Sequence, residues 1–227
     1  MPPYDVVTFD CYGTLVDWEG GLARAFHRAA WADGARLERA AILQAYMAVE
    51  REVEAGPFRP YREVLAETAR SVAARLGWRL DRDRAAFLAD SVPGWVPFPD
   101  TNAALERLRA AGYALGILSN IDDDLLRATR RHFTGEFELV VTAQQVRAYK
   151  PAAPHFETAR RAIGARRWLH VGQGYFHDVV PARALGLPTA WINRNGDAPY
   201  DGGEADREFP TLTELADWLA PAGSRPG

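Results

Sequence analysis

Apolar residues recur along this chain with two different spacings. Between residues 18 and 92 they return every three or four positions, the spacing that predicts amphipathic helices. Outside this stretch, short apolar runs alternate with helical segments, beginning with a strand over residues 4–10. Short apolar strands separated by helices are typical of a parallel sheet covered on both faces. The pattern therefore predicts an α/β fold, with a doubly wound, mostly parallel sheet and an inserted helical cap.

These two spacings also set the expected domain bounds. Residues 1–16 and 93–220 form the α/β core, residues 17–92 form the cap, and residues 221–227 form a flexible tail. Asp81 is expected to cap the last short helix of the insert, and the prolines that follow it mark the return to the core. After that return we expect helices over 101–111, 122–132, 152–163, 177–185 and 212–219, and strands over 113–118, 137–142, 168–172 and 189–193.

The first strand ends in a carboxylate. Asp10 closes the apolar run, and the chain then turns at Gly13, within the segment Asp10-Cys11-Tyr12-Gly13-Thr14. Open α/β sheets keep their ligand crevice at the carboxyl ends of their strands. A carboxylate in that place can form a covalent ester or an acyl phosphate with a substrate. Asp10 is therefore the candidate nucleophile.

Lysine usage points to a second residue. Of the 27 basic residues, Lys150 is the only lysine. Arginine is a rigid fork that is always charged, whereas the lysine ammonium is a compact donor on a flexible stem. A single lysine among arginines suggests a position that arginine cannot fill, although a solvated lysine can also persist by chance. Lys150 is therefore a candidate site residue.

Four segments resemble the motifs of the haloacid dehalogenase superfamily, in the same order. The segment after Asp10 matches the pattern Asp-x-x-Gly-Thr, and Leu118-Ser119-Asn120 resembles the second motif. Lys150-Pro151 resembles the third, and the segment from His170 to Asp178 resembles the fourth. The resemblance extends over residues 4 to about 220. It implies a Rossmann-like core, a helical cap and covalent catalysis by Asp10.

The resemblance also implies roles for individual residues. Lys150 would neutralise the nucleophile and the charge of the substrate, and Asp178 would pair with Lys150 and orient a water molecule. Ser119 would donate to a substrate carboxylate or phosphate, and Asn120 would hold the Asp10 carboxylate or the leaving group. The expected catalytic residues are Asp10, Lys150 and Asp178, and the expected substrate-binding residues are Tyr12, Thr14, Ser119, Asn120 and Arg39.

The resemblance also directs attention to two arginines. Members that release halide carry an arginine in the cap that cradles it. Arg39 is a candidate, although it is not in register with the arginine of the family, and Arg51, Arg59 and Trp18 are alternatives. Arg194, which follows the last expected core strand, has the charge to bind a substrate carboxylate. An arginine at a strand end more often lies exposed.

The residue two positions after Asp10 separates the reactions of the superfamily. Its phosphatases have a second Asp there, which protonates the leaving alkoxide, and a phenol with an ordinary pKa of about 10 is a poor substitute near neutrality. Its L-2-haloacid dehalogenases resemble this chain, with Tyr at the position of Tyr12, because halide leaves without a proton. We therefore expect a carbon-halide hydrolase that dehalogenates a small 2-haloalkanoic acid through an aspartyl ester and needs no cofactor.

Two alternatives stay open. A Mg²⁺-dependent phosphatase acting on a small phosphate ester would use Asp10 and Asp178 as metal ligands, but Gln173 stands where such phosphatases have a carboxylate. A catalytically lapsed member would keep the fold to bind a small acid or a partner. The retained Asp10 and the lone Lys150 argue against that.

Composition adds limits on partners. The formal charge of −3 and the isoelectric point near 6.0 give no basic footprint for nucleic acid or an anionic membrane. The single cysteine, Cys11, rules out an internal disulfide, which agrees with a reducing compartment. We expect a cytoplasmic protein with a small anionic substrate, no nucleic-acid or membrane partner, and a possible homodimer.

Overall fold

The computed structural model describes residues 3–54, 56–199 and 203–221. These residues fall into two compact units. The first contains the chain up to Val16, Pro97–Asn120 and the chain from Arg131 onward, and the second contains Asp17–Val96 and Ile121–Arg130. The division differs from our expected bounds in two places, because it assigns residues 93–96 and Ile121–Arg130 to the helical unit. The tail expected over residues 221–227 lies, after residue 221, outside the described residues.

The first unit is built on a parallel sheet. Its six strands in the described part of the chain are β1 (Val6–Phe9), β2 (Ala114–Ser119), β3 (Leu139–Thr142), β4 (Trp168–Gly172), β5 (Thr189–Ile192) and β6 (Arg207–Phe209). They lie in the order β3-β2-β1-β4-β5-β6, and every pair is parallel. This order is typical of a doubly wound sheet, so the α/β class expected from the sequence is confirmed.

The strand order decides where a ligand can bind. β1 pairs with β2 on one side and with β4 on the other, so the order reverses between β1 and β4. At such a reversal the connections that follow the two neighbouring strands run to opposite faces of the sheet, which leaves a crevice outside the carboxyl ends of the strands. The loops that follow β1 and β4 therefore meet at this edge of the sheet.

Helices cover the sheet of the first unit. The apolar cluster on one face combines sheet residues such as Val6, Leu118 and Trp168 with Phe156 and Ile163 of a core helix. Burial of each large side chain stabilises the fold by about 1.5–3 kcal/mol. The core helices are α5 (Thr101–Ala110), α7 (Ala143–Val146), α8 (Pro154–Ile163), α9 (Val180–Ala184) and α10 (Leu212–Leu219).

The second unit is helical. Its first helix begins where the Asp17 carboxylate accepts a hydrogen bond of 2.9 Å from the amide of Gly20. Phe26 of this helix packs edge-on against Phe87, with ring centroids 5.2 Å apart, so aromatic residues fill the interior. Its α-helices are α1 (Trp18–Ala32), α2 (Arg39–Glu54), α3 (Tyr61–Arg75), α4 (Phe87–Ser91) and α6 (Asp123–Thr129).

The observed elements differ from the expected ones in several details, and the unexpected helix α7 is one of them. Asp81 caps a 3₁₀ turn at Arg82–Arg84, and α4 begins separately at Phe87. The helix expected over 177–185 begins as a π-helical turn, Tyr175–Val179, before continuing as α9. The short strand Arg207–Phe209 was not expected, because two of its three residues are exposed and carry no apolar run. Among the described residues, no helix combines the length and the apolar character needed to cross a membrane.

Candidate active site

The four motif segments all belong to the first unit, and three of them follow strands at its crevice edge. Asp10 follows β1, Ser119 ends β2, and the segment containing Asp178 follows β4. Lys150 comes from the loop before α8 and is 1% exposed. Because the strands are parallel, their carboxyl ends carry these side chains to one place.

The nucleophile loop is fixed by hydrogen bonds around Thr14. Gly13 has a φ of 99°, a conformation that glycine adopts without strain, so the chain reverses directly after Asp10. The Thr14 hydroxyl donates to Oδ2 of Asp10 at 3.0 Å and accepts the amide of Gln173 at 2.9 Å. Thr14 therefore links the carboxylate to the loop after β4.

Lys150 bridges two carboxylates. Its Nζ donates to Oδ1 of Asp10 at 2.9 Å, to Oδ1 of Asp178 at 2.5 Å and to the carbonyl of Leu118 at 2.9 Å. An ammonium has three protons, so all of them are used. A guanidinium fork could not make these three contacts from one atom, which accounts for lysine at this position.

The two carboxylates have opposite pKa directions. Burial and the nearby charge of Asp178 raise the pKa of Asp10, against the pull of Lys150. Burial also opposes ionisation of Asp178, but Lys150 and a hydrogen bond from His170 lower its pKa to about 2. The pKa of Lys150 is raised, because the two carboxylates outweigh its burial. A charged Asp178 thus holds Lys150 in place, and Asp10 is the more basic carboxylate.

Asn120 of the second motif binds the backbone of Lys150. The side chain of Asn120 donates to the carbonyl of Lys150 at 3.0 Å and accepts its amide at 2.6 Å. Asn120 therefore contacts the Lys150 backbone, whereas we expected it to hold the Asp10 carboxylate or the leaving group. The hydroxyl of Ser119 is buried and has no hydrogen-bond partner in the described structure, so its donor is available to a ligand.

Glycine makes room for Asp178. A Cβ on Gly172 would lie 2.5 Å from Cβ of Asp178 and 2.6 Å from its Cγ, closer than atoms can pack. The π-helical turn that follows brings Asp178 back toward the end of β4, and such turns are frequent at functional sites. The Gly172-Gln173-Gly174 segment is thus shaped around Asp178.

Arg194 is largely buried, whereas an arginine at the end of a strand more often lies exposed. It binds Asp100 through both terminal nitrogens, each at 3.1 Å, and its side chain is only 15% exposed. It also donates to the carbonyl of Thr14 at 3.1 Å and lies 3.9 Å from the ring centroid of Phe98. Arg194 therefore supports the nucleophile loop.

Tyr12 and Arg39, both expected to bind substrate, belong to different units. Tyr12 is half-buried, directly after the nucleophile, and its backbone forms an isolated bridge with Val16. Arg39 is the first residue of α2 in the helical unit, where it pairs with Glu19 at 3.4 Å and is half exposed. The halide-binding role expected for Arg39 stays a prediction.

The donor set differs from the one expected for a Mg²⁺-dependent phosphatase. The two carboxylates that would bind Mg²⁺, Asp10 and Asp178, share the ammonium of Lys150, and the third position of the phosphatase set is Gln173. Among the described residues, no group of three or more His, Cys, Asp or Glu side chains is arranged to hold a metal ion. Mg²⁺ is usually held by one or two carboxylates together with water, and here both carboxylates are already paired with Lys150.

Two histidines of the site were missed by the sequence reasoning. His170 contacts Asp178 at 3.2 Å from within β4, and His155 of α8 contacts the carbonyl of Ser119 at 3.2 Å. Both are buried. The alternation of side chains along β4 was a usable signal, because a polar residue inside a buried apolar strand requires a polar partner.

Comparisons with known proteins agree with this geometry. The model of the haloacid dehalogenase-like hydrolases matches residues 4–186. An (S)-2-haloacid dehalogenase from Pseudomonas putida is 28% identical over 225 residues, covering 96% of this chain and 99% of that protein. A haloacetate dehalogenase from Moraxella sp. is 29% identical over 170 residues, covering 73% of this chain and 75% of that protein.

Solved structures give the same result for the fold. The crystal structure of an L-2-haloacid dehalogenase aligns with a TM-score of 0.81 at 25% identity, covering 95% of this chain and 98% of that one. The L-2-haloacid dehalogenase from Xanthobacter autotrophicus, with chloropropionic acid covalently bound, aligns with a TM-score of 0.79 at 22% identity, covering 97% of this chain and 100% of that one. The expected resemblance is confirmed, and the chain belongs to the haloacid dehalogenase-like hydrolases.

Proposed function

We propose that this hydrolase cleaves the carbon-halide bond of a small 2-haloalkanoic acid, with Asp10 as the covalent nucleophile. The observation that carries the proposal is the environment of the Asp10 carboxylate. It is buried, held by Thr14 and Lys150, and followed at the general-acid position by Tyr12. Halide leaves without a proton, so this arrangement is sufficient for dehalogenation and poor for ester cleavage that requires an acid.

In the first step, a carboxylate oxygen of Asp10 attacks the carbon that bears the halogen. The new carbon-oxygen bond forms as the carbon-halogen bond breaks, and halide leaves with its electron pair. The hydroxyl of Ser119, which has no partner in the described structure, would donate to the substrate carboxylate, and the charge of Lys150 would attract it, which supplies the orientation that this step requires. The raised pKa of Asp10 makes it a better nucleophile than an ordinary carboxylate.

In the second step, water attacks the carboxyl carbon of the Asp10 ester. Asp178 takes a proton from the water and passes it to the leaving alkoxide, which becomes the hydroxyl of a 2-hydroxy acid. The second water proton departs when the regenerated Asp10 carboxyl ionises. The product hydroxyl then carries the oxygen that originally belonged to Asp10, and one water oxygen remains on Asp10.

The relatives support this substrate class. Those named (S)-2-haloacid dehalogenase match almost the full chain, and one solved neighbour contains chloropropionic acid bound covalently. In this proposal the ammonium of Lys150 supplies the positive charge beside Asp10, and halide leaves without a proton, so the reaction uses no cofactor.

The test compares two reactions in parallel. Halide release from (S)- and (R)-2-chloropropionate is measured in EDTA, and phosphate release from p-nitrophenyl phosphate is measured with Mg²⁺. Asp10→Asn should abolish halide release. Asp5→Asn, the same change before the start of β1, is the matched control and should retain it. Phosphate release without halide release would overturn the proposal in favour of the phosphatase.

A chemical test addresses the intermediate. A single turnover in ¹⁸O-labelled water should leave the product hydroxyl unlabelled and add one ¹⁸O atom to the protein at Asp10. Label in the hydroxyl of the product would instead indicate direct attack of water on the substrate and would contradict the aspartyl ester.

A further inference from the structure

Three buried polar side chains lie beneath the site on one face of the sheet. In the register of β1 and β4, Thr8 lies beside His170, and Trp168 lies two residues before His170 on the same face. All three are buried, with exposures of 0% for Thr8, 1% for His170 and 6% for Trp168. Polar groups inside a parallel sheet require partners, and these residues provide partners for each other.

The hydrogen bonds form a chain that ends at the active site. Nε1 of Trp168 donates to Oγ1 of Thr8 at 2.7 Å, and Oγ1 of Thr8 lies 2.9 Å from Nδ1 of His170. Nε2 of His170 lies 3.2 Å from Oδ1 of Asp178. The ring of His170 also packs edge-on against Phe156, with centroids 5.0 Å apart and planes at 86°, which fixes its orientation.

The direction of each bond follows from chemistry. An ionised carboxylate only accepts, and Asp178 is ionised because its pKa is lowered to about 2, so Nε2 of His170 carries a proton and donates it to Asp178. In a neutral imidazole Nδ1 is then an acceptor. The Thr8 hydroxyl, whose oxygen accepts the indole N–H of Trp168, has a proton to donate to Nδ1. Of the two tautomers of a neutral His170, Asp178 therefore selects the one with the proton on Nε2.

We propose that His170 is a positioning residue that fixes the Asp178 carboxylate for hydrolysis of the Asp10 ester. In the described structure, the hydrogen bonds to Asp178 from Lys150 and His170 both end on Oδ1. Two donors on one oxygen fix the plane of the carboxylate and leave Oδ2 for the water molecule. This inference rests on the proposed function, because it assigns His170 to the second step of that reaction.

His170 should matter more for the second step than for the first. Ester formation depends on Asp10, which Thr14 and Lys150 hold directly. Ester hydrolysis depends on a correctly oriented base, a contribution that is typically about 10²- to 10⁴-fold in rate. A variant that lets Asp178 rotate should therefore form the ester and hydrolyse it slowly.

The experiment uses His170→Leu, His170→Gln and the wild type. Leucine removes the hydrogen bond, whereas glutamine has an N–H at a reach similar to Nε2. In His170→Leu we expect a halide burst of one equivalent per chain, then a steady-state rate lower by about tenfold or more. The ester should appear as added mass on the intact protein. His170→Gln should restore most of the steady-state rate.

A separate measurement tests the tautomer without activity. A long-range ¹H–¹⁵N spectrum of the wild-type imidazoles, assigned with His170→Gln, should show the proton of His170 on Nε2. A proton on Nδ1 would overturn the inference even if every variant failed to fold. If both variants lost the halide burst and the steady-state rate to the same extent, the inference would also be overturned, because such losses indicate a purely structural role.

Failure of this inference can be separated from failure of the proposed function. Wild-type protein that shows the Nε2–H tautomer but releases no halide would overturn the proposed function, and with it the role of His170 in hydrolysis. Wild-type protein that releases halide, with His170→Leu showing no ester accumulation, would overturn the role of His170 alone.

Discussion

Asn120 binds the peptide of Lys150 on both sides, accepting its amide at 2.6 Å and donating to its carbonyl at 3.0 Å. The only lysine of the chain is thus held by its backbone as well as by two carboxylates. Asn120→Ala should leave both backbone groups unpaired, which costs about 1–3 kcal/mol of stability. It should also lower halide release, because Nζ of Lys150 loses its fixed position.

A matched control exists in the same unit. Asn102 makes the same pair of contacts, donating to the carbonyl of His132 and accepting the amide of Thr134, each at 3.0 Å. Asn102→Ala should cost similar stability in urea unfolding but keep its activity. Equal activity losses in the two variants would contradict the role assigned to Asn120.

The pH dependence of ester formation should report on Asp10. The reaction requires the carboxylate, so its rate falls as the pH drops through the pKa of Asp10. That pKa is raised by burial and by Asp178, so the loss begins above the ordinary range of an aspartate. Asp178→Asn removes the negative charge that raises the pKa of Asp10, while the positive charge of Lys150 remains. The acid limb of this variant should therefore move to lower pH.

The measurement is the halide burst in a rapid-quench experiment, since the burst requires only ester formation. Asp5→Asn, which removes a carboxylate from the opposite end of β1, should leave the acid limb in place. An acid limb that moves upward in Asp178→Asn would show that the pKa of Asp10 is governed by another group.

His155 should make the stability of the protein sensitive to acid. Burial and the charge of Lys150 lower the pKa of His155 to about 3, from an ordinary value of 6.5. Between these values the unfolded chain binds a proton that the folded chain excludes. Stability is therefore complete above pH 6.5 and falls as the pH drops toward 3, by up to about 1.4 kcal/mol per pH unit.

His155→Gln is the informative variant, because its amide can still donate to the carbonyl of Ser119. Over pH 3 to 6.5 its urea midpoint should change less than that of the wild type. His27→Gln, a change at an exposed histidine, should follow the wild type. If the stability of the wild type does not change between pH 6.5 and 4, the lowered pKa of His155 in the folded protein would be contradicted.

Gly172→Ala should damage the site through a direct clash. The added methyl would lie 2.5 Å from Cβ of Asp178, so Asp178 or the backbone must move. We expect about 1–3 kcal/mol of destabilisation and a loss of ester hydrolysis. Gly94→Ala is the control, since a methyl there meets no atom within 4 Å. Normal turnover in Gly172→Ala would show that Asp178 has room to move.

The sequence was sufficient to predict the sheet and the residues at its edge. Apolar runs identified five of the six described strands, and β4 was predicted at its observed bounds, Trp168–Gly172. Lys150 was identified by composition alone, since one lysine among arginines is a signal independent of any fold. Asp10 was identified by its place at the end of the first strand, whereas Ser119 and Asp178 were expected from the resemblance to the motifs of the family.

Other features could not be predicted, because they depend on contacts between distant residues. Residues 120 and 150 are far apart in sequence, and no periodicity indicates that Asn120 binds the backbone of Lys150. Arg194 follows a strand like many exposed arginines, and only Asp100 and Phe98 explain its burial. The strand Arg207–Phe209 has no apolar pattern, because it lies at the sheet edge and pairs with β5 alone.

The helical unit contains a cap supplied from a distant segment. The carboxylate of Asp122 accepts the amides of Tyr61 and Arg62, each at 2.9 Å, at the start of α3. Pro60, the residue at the N-cap position, offers no side-chain acceptor. A carboxylate there satisfies two amides of the first helical turn and complements the helix dipole.

Asp122→Ala should therefore destabilise the protein by about 1–2 kcal/mol, the usual cost of a lost N-cap. Asp124→Ala is the matched control, since Asp124 lies in the same segment and pairs with Arg62 at the surface. Exposed ion pairs contribute little, so this variant should lose less than about 1 kcal/mol. Urea unfolding measures both, and proteolysis near residue 61 should increase only in Asp122→Ala. Equal losses in the two variants would indicate that the α3 amides find another acceptor.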